Sequence, residues 1–259
     1  MSATLTVLGA GSILPRAGYG CSGYALRPRP GGPVTLLDCG PGSIRALGAA
    51  GIELGDVRRV VVSHFHTDHC LDLFALFFAR RNPAFEPPPL EVVGPVGLAA
   101  LVETGVDALR RHPRDPRLEL VETPLAADGV AIHEAPGERL VFRGAPTGHT
   151  PEALAWRVEL AGGAALGYTG DSGENLAVAE HVRGVDVFLA ECSFPDEAQP
   201  SSHLTPSSAA RLARAAGCRR LVLTHFYPDV DPQSAREVAA RTFDGPIELA
   251  RDGSVHAIG

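Results

Sequence analysis

Short apolar runs of valine, leucine and other strand-favouring residues recur along this chain. They predict strands at 3–8, 22–26, 33–38, 58–63, 90–93, 118–121, 139–143, 154–160, 164–168, 185–190, 219–224 and 247–250. Helical spacing falls at 43–50, 70–80, 96–111, 174–182, 206–216 and 233–242. Thr205 followed by Pro206 is a helix start, with Thr as N-cap and Pro in the first turn, and Gly217 suits the stop. The early strands come as a run and the later ones alternate with helices, which by itself supports a mixed α and β fold. No internal repeat or low-complexity linker interrupts the pattern, so one domain over 1–259 is expected.

Several of these runs end in metal-binding side chains. Val60-Val61-Val62 leads into His64-Phe65-His66-Thr67-Asp68-His69, an H-x-H-x-D-H segment with four potential ligands within six residues. Imidazoles suit Zn²⁺ and similar borderline cations, and the carboxylate adds a hard oxygen. His149 lies in Pro146-Thr147-Gly148-His149-Thr150, Asp171 follows the run 166–168 and a Gly-containing turn, and His225 follows Leu221-Val222-Leu223-Thr224. Strand followed by ligand therefore repeats along the chain, which builds a site on the rim of a sheet. Asp38, at the end of Leu36-Leu37, is expected to accept an N–H from a ligand imidazole. Glu191 ends Val187-Phe188-Leu189-Ala190, and His203 precedes the capped helix, so the carboxylate could hold that imidazole in one tautomer. Cys70 reads as a small packed residue.

These motifs resemble the metallo-β-lactamase-fold hydrolases, and within them the ribonuclease Z and phosphodiesterase branch. The likeness runs from Leu5-Thr6-Val7-Leu8-Gly9 to the last strand, and Ala190-Glu191-Cys192-Ser193-Phe194 with His203-Leu204-Thr205 mark the branch. The resemblance implies an α/β fold arranged as a four-layer αββα sandwich. It implies two divalent metal ions, most readily zinc, with manganese or iron as alternatives. His64, His66 and His149 would bind the first, Asp68, His69 and His225 the second, and Asp171 would bridge them. A hydroxide between the metals would be the nucleophile, and Asp68 would also hold or accept a proton of that water. His203, oriented by Glu191, would protonate the leaving oxygen or stabilise the phosphate.

Composition narrows the partners. The net charge of −7 argues against broad nucleic-acid binding, which needs a basic surface to displace counterions. The arginine pairs at 80–81, 110–111 and 219–220 read as solvated element ends. No apolar run is long enough to span a bilayer, and the first residues read as a strand, not a signal peptide. Five cysteines without C-x-x-C spacing favour a reducing cytoplasm. Gly9-Ala10-Gly11-Ser12-Ile13-Leu14 lacks the third glycine of a dinucleotide fingerprint.

Two departures from ribonuclease Z matter. Its tRNA-clamping arm lies between the third histidine and the bridging aspartate, where this chain has only Thr150 to Gly170, room for two strands and a turn. After the last histidine it has Phe226-Tyr227-Pro228-Asp229 in place of a Ser-x-Arg-Tyr type of sequence. The expected activity is hydrolysis of a small phosphodiester such as a cyclic nucleotide, with no tRNA and no membrane as partner. The alternatives are a lactone, carboxylic-ester or thioester hydrolase on the same metal core, or a non-catalytic accessory protein. A homodimer is compatible with the sequence. The proline-rich stretch 82–89 is expected to be an extended loop that either shapes the pocket or merely connects.

Overall fold

Two seven-stranded sheets pack face to face in the computed structural model, which describes residues 2–82, 86–109, 115 and 117–259. The first sheet runs β14 (Val255–Ile258), β1 (Ala3–Gly9), β2 (Gly23–Arg27), β3 (Val34–Cys39), β4 (Val57–Val61), β5 (Leu90–Gly94) and β6 (Leu118–Glu122). The second runs β13 (Ile247–Leu249), β12 (Arg220–Thr224), β11 (Val187–Glu191), β10 (Ala165–Tyr168), β9 (Leu154–Glu159), β8 (Leu140–Pro146) and β7 (Ala131–Ala135). In each sheet the pairing is antiparallel through the first strands in chain order and parallel through the later ones, except that the last strand, β14, returns antiparallel beside β1.

Three apolar cores make this a four-layer αββα sandwich. The middle core lies between the sheets and is built from residues such as Leu5, Leu37, Phe142, Trp156 and Leu189. A second core packs α5 (Leu176–His181), α6 (Pro206–Ala216) and α7 (Pro232–Ala239) on β11 and β12. The third packs α1 (Ser43–Ala49), α2 (Thr67–Cys70), α3 (Asp72–Ala79) and α4 (Leu98–Ala108) on β3, β4 and β5. Strands β3 and β11 are buried at every position because they are covered on both faces. That is why they read as largely apolar runs rather than as alternating ones.

Two strands lie outside the sequence pattern. The residues of β7, Ala-Ile-His-Glu-Ala, and of β14, Val-His-Ala-Ile, alternate exposed and buried positions at sheet edges, so half of each is polar or solvated. The helix expected at 70–80 begins earlier and divides at Leu71 into α2 and α3. The solvated reading of the arginine pairs fails at Arg80, whose side chain is buried against Asp115 and the Pro88 carbonyl. Arg110, Arg111 and residues 83–85 of the proline-rich stretch lie outside the described residues. Among the described residues no helix is long and apolar enough to cross a membrane.

The sheets meet closely at one rim. Trp156 is fully buried and its indole N–H donates to the Val62 carbonyl at 3.1 Å, while Leu154 N–H donates to the Ser63 carbonyl at 3.0 Å. Gly40, just beyond β3, lies beneath the segment 64–69. A Cβ there would stand 1.9 Å from the Asp68 carbonyl oxygen. Gly40→Ala is therefore expected to displace that segment and destabilise the fold by about 1–3 kcal/mol, the usual cost of overpacking. Urea unfolding of the variant checks this, and an unchanged midpoint would show that the approach is not needed.

Candidate metal centre

The candidate residues from both sheets converge on one rim, past the ends of β3, β4, β8, β10, β11 and β12. Ends of strands suit this role, because backbone leaving a sheet can turn while the strand holds it rigidly. Asp38 and His225 both adopt left-handed backbone, each at φ 57°. Non-glycine residues there are strained and persist only where surrounding packing holds them.

His64, His66, His149 and Asp171 bring one donor atom each within 4.8 Å of one another, and so do Asp68, His69 and His225. Asp171 spans the two groups. Its Oδ2 lies 3.8 Å from His64 Nε2 and 3.7 Å from His149 Nε2, while its Oδ1 lies 3.2 Å from His69 Nε2 and 3.6 Å from His225 Nε2. Asp68 Oδ2 is 3.4 Å from His225 Nε2.

The outer nitrogens of these rings fix the tautomers. His69 Nδ1 donates to Asp38 Oδ2 at 2.7 Å, and His149 Nδ1 donates to the Ser202 carbonyl at 2.8 Å. Carboxylates and carbonyls only accept, so both rings carry a proton at Nδ1 and Nε2 is the nitrogen turned inward. His69 Nε2 and His225 Nε2 then face each other at 3.3 Å, and His149 Nε2 faces His66 Nδ1 at 3.1 Å. Among the described residues, buried His64 Nε2 and Asp171 Oδ1 have no hydrogen-bond partner. Lone pairs crowded at a buried point, beside an unpartnered carboxylate oxygen, are costly unless a cation lies among them. The donor set of imidazoles and carboxylates fits divalent zinc, manganese or iron.

Charge agrees with geometry. Burial, aided by the neighbouring imidazoles, pushes His64 down to about 2. Burial opposes ionisation of Asp171, but His225, His69 and His64 outweigh it and hold its carboxyl well below the usual range. Burial likewise opposes a charge on His69, but Asp171 and Asp38 outweigh it and hold the ring protonated well above the ordinary value.

Glu191 is fully buried at the end of β11, with both its oxygens 3.2 Å from His203 Nδ1. It also accepts the Ser172 N–H at 2.7 Å and the Ser193 hydroxyl. Although Glu191 and His203 lie close enough to Asp171 and His225 to form a further potential metal group, these hydrogen bonds already engage both oxygens of Glu191. We therefore read it as a hydrogen-bond acceptor and not a ligand. His203 owes its position to the helix that follows: Thr205 and Ser208 form a capping box on α6, and Ser193 N–H binds the Leu204 carbonyl.

Some site residues bear no individual chemical signal in the sequence. Ser63 donates to Asp38 and contacts His64 Nδ1, Ser193 stands between Glu191 and His225, and the Tyr168 hydroxyl donates to Asp38 Oδ2 at 2.5 Å. Phe194 and Tyr227 stack with centroids 4.8 Å apart beside His203. Ser63 is adjacent to His64, and Ser193 lies two residues after Glu191 within the segment that marks the branch, so closeness to those residues is the signal the sequence offers. Cys70 is buried, with its sulfur against the Phe65 and His66 carbonyls.

Residues 35–226 match the family model described as "Beta-lactamase superfamily domain". An uncharacterized protein of Mycobacterium leprae is 32% identical over 265 residues, covering 98% of this chain and 88% of its own length. A ribonuclease Z of Mycobacterium marinum is 31% identical over 280 residues, covering 96% of each chain. Among solved structures, the metallo-β-lactamase fold protein YhfI from Bacillus subtilis superposes with a TM-score of 0.80 at 23% identity, covering 99% of this chain and 100% of its own. The two-sheet architecture is thus the metallo-β-lactamase fold.

The protonated His69 gives a test of cation binding. A metal at its Nε2 must displace the proton, so binding releases it. Between about pH 5 and 6.5, wholly below the raised value, zinc affinity is expected to fall about tenfold for each unit of acidification per proton displaced. Competition with a chelator of known pH dependence measures this. An affinity flat across that range would remove His69 from the ligand set.

Proposed function

The chain belongs to the beta-lactamase superfamily domain family, and from that premise we propose a binuclear metal-dependent hydrolase of a small phosphodiester, a cyclic nucleotide being the leading candidate. The observation that carries the reading is His203. Its Nδ1 is tied to buried Glu191 and lies 3.9 Å from Asp171 Oδ2, at the border of the metal cluster. A hydrolase of activated esters needs no such group, whereas expulsion of an alkoxide from phosphorus needs a proton donor.

In this reading His64, His66 and His149 hold one cation, Asp68, His69 and His225 the other, and Asp171 both. Zinc suits the imidazole-rich set, and manganese or iron are compatible. Two such cations, when bound, supply an activated water near neutral pH and neutralise phosphate charge. The chain's own residues do the rest. Asp68 orients the attacking water and takes up its proton. His203 gives a proton from Nε2 to the departing oxygen. Burial opposes protonation of His203, but the hydrogen bond and charge of Glu191, with the charge of Asp171, outweigh it and raise its pKa above the ordinary value. The stacked Phe194 and Tyr227 provide an aromatic surface beside His203 that suits a nucleobase.

Transfer RNA is not the expected substrate. The antiparallel hairpin β9–β10 fills the chain between His149 and Asp171, and the net charge is −7. Five unpaired cysteines fit a reducing cytoplasm.

His203→Ala is expected to lower kcat on a cyclic nucleotide by about 10²–10⁴, the usual range for a lost acid–base group. The loss should be small on a p-nitrophenyl diester, whose leaving group departs without a proton. Two metal equivalents should remain by elemental analysis. A near-wild-type rate on the cyclic nucleotide, with both metals present, would remove His203 from the chemistry. An equal loss on both diesters would assign it to phosphate binding.

Precursor tRNA should resist the protein. Cleavage at an ordinary enzymatic rate, about 1 s⁻¹ or more, would overturn the small-substrate reading.

A further inference from the structure

Glu191 serves two imidazoles. It accepts Nδ1–H of His203 directly, and its Oε2 accepts the hydroxyl of Ser193, whose oxygen stands 2.8 Å from His225 Nδ1. Both Glu191 and Ser193 are fully buried. A hydroxyl has one proton, and an ionised carboxylate can only accept. The serine proton is therefore committed to Glu191, and the serine oxygen must accept from His225 Nδ1. That leaves Nε2 of His225 as the bare nitrogen, and Nε2 is the atom facing His69 and Asp68. No other hydrogen-bond partner meets His225 Nδ1 among the described residues. The same unit occurs in the opposite sheet, where Ser63 donates to Asp38 at 2.7 Å and meets His64 Nδ1 at 3.0 Å.

We infer that Ser193 is a positioning residue that fixes the tautomer of His225 and ties it to the carboxylate that also holds His203. The inference rests on the reading of His225 as a metal ligand and His203 as the proton donor. Its consequence is that Glu191 governs two functions. Loss of its charge disturbs His203 directly and the second cation through Ser193, whereas loss of His203 leaves that cation undisturbed. In Ser193→Ala the His225 ring keeps its place but loses the acceptor that selects its tautomer. Partners one step beyond a metal ligand typically change metal affinity by about 10–100-fold.

The experiment uses the full chain and zinc alone, with no substrate needed for the main readout. Zinc binding is measured by competition with a chromophoric chelator for wild type, Ser193→Ala, Glu191→Gln, the double variant and His203→Ala. Hydrolysis of bis(p-nitrophenyl) phosphate is followed in parallel. Ser193→Ala is expected to weaken one of two zinc equivalents by about 10–100-fold and leave the other unchanged. Glu191→Gln is expected to weaken the same equivalent, and the double variant to lose no more than the worse single variant, because both act through one hydrogen-bonded unit. His203→Ala should bind both equivalents as wild type does. Two unchanged equivalents in Ser193→Ala, equal weakening of both, or fully additive losses would each overturn the inference. A wild-type chain that takes up fewer than two zinc ions would instead overturn the binuclear reading on which it rests.

Discussion

Imidazole nitrogens and a carboxylate turned towards one another in a buried space are the constraint on which the rest of this structure depends. His69 and His225 present Nε2 atoms 3.3 Å apart, with Asp171 between the two ligand groups and nearly free of solvent. The outer nitrogens of His69, His149, His64 and His225 are engaged by a carboxylate, a carbonyl or a serine, so those rings cannot escape by moving a proton inward without breaking a hydrogen bond. The arrangement is stable only with positive charge at its centre. A proton on His69 supplies some of it, and a divalent cation supplies more. The fold is thus prepared for metal by the same hydrogen bonds that turn these nitrogens towards one another.

The part of this that could be read in the sequence is the part written in local patterns. Strands β3 and β11 are largely apolar because both faces are covered, β4 and β12 end in apolar runs, and the candidate ligands or the carboxylates that hold them stand where those runs stop. The α6 cap was legible because Thr205, Pro206 and Gly217 each act within a few residues. Edge strands β7 and β14 were not, because half their side chains face solvent and a polar alternation five or four residues long resembles a loop. The hydrogen-bonding partners were harder still. Ser63, Tyr168 and Ser193 matter through residues 25, 130 and 2 or 32 positions away, and a serine beside a ligand looks like any serine. Asp38 could be anticipated because it ends a buried strand, where an aspartate must find a donor.

The two sheets contribute unlike parts. The first supplies His64, His66, Asp68 and His69 on one short segment, with Asp38 beneath it. The second supplies His149, Asp171, His203 and His225 from separate loops, with Glu191 among them. Each sheet therefore carries one buried carboxylate at a strand end that holds one imidazole directly and another through a serine. In the first sheet the pair held is His69 and His64, one from each ligand group. In the second it is His203 and His225. The proton donor of the proposed mechanism therefore occupies, in one sheet, the place that a metal ligand occupies in the other.

Neither ligand group is complete on one sheet. His149 and Asp171 must meet His64 and His66 across the seam, and His225 must meet Asp68 and His69. Their separation is set by the inter-sheet core and by two hydrogen bonds at its rim, from the Trp156 indole to the Val62 carbonyl and from the Leu154 N–H to the Ser63 carbonyl. Those contacts fall on the two residues immediately before His64. Inter-sheet packing and ligand placement are consequently one problem, because a shift of the sheets moves Ser63, and through it both Asp38 and His64. A cation bound by both sheets pulls in the same direction as the hydrophobic core, so metal affinity and fold stability draw on the same contacts. The contacts that tie the sheets together at this rim lie directly against the site, so the ligands are held where the sheets are kept from sliding.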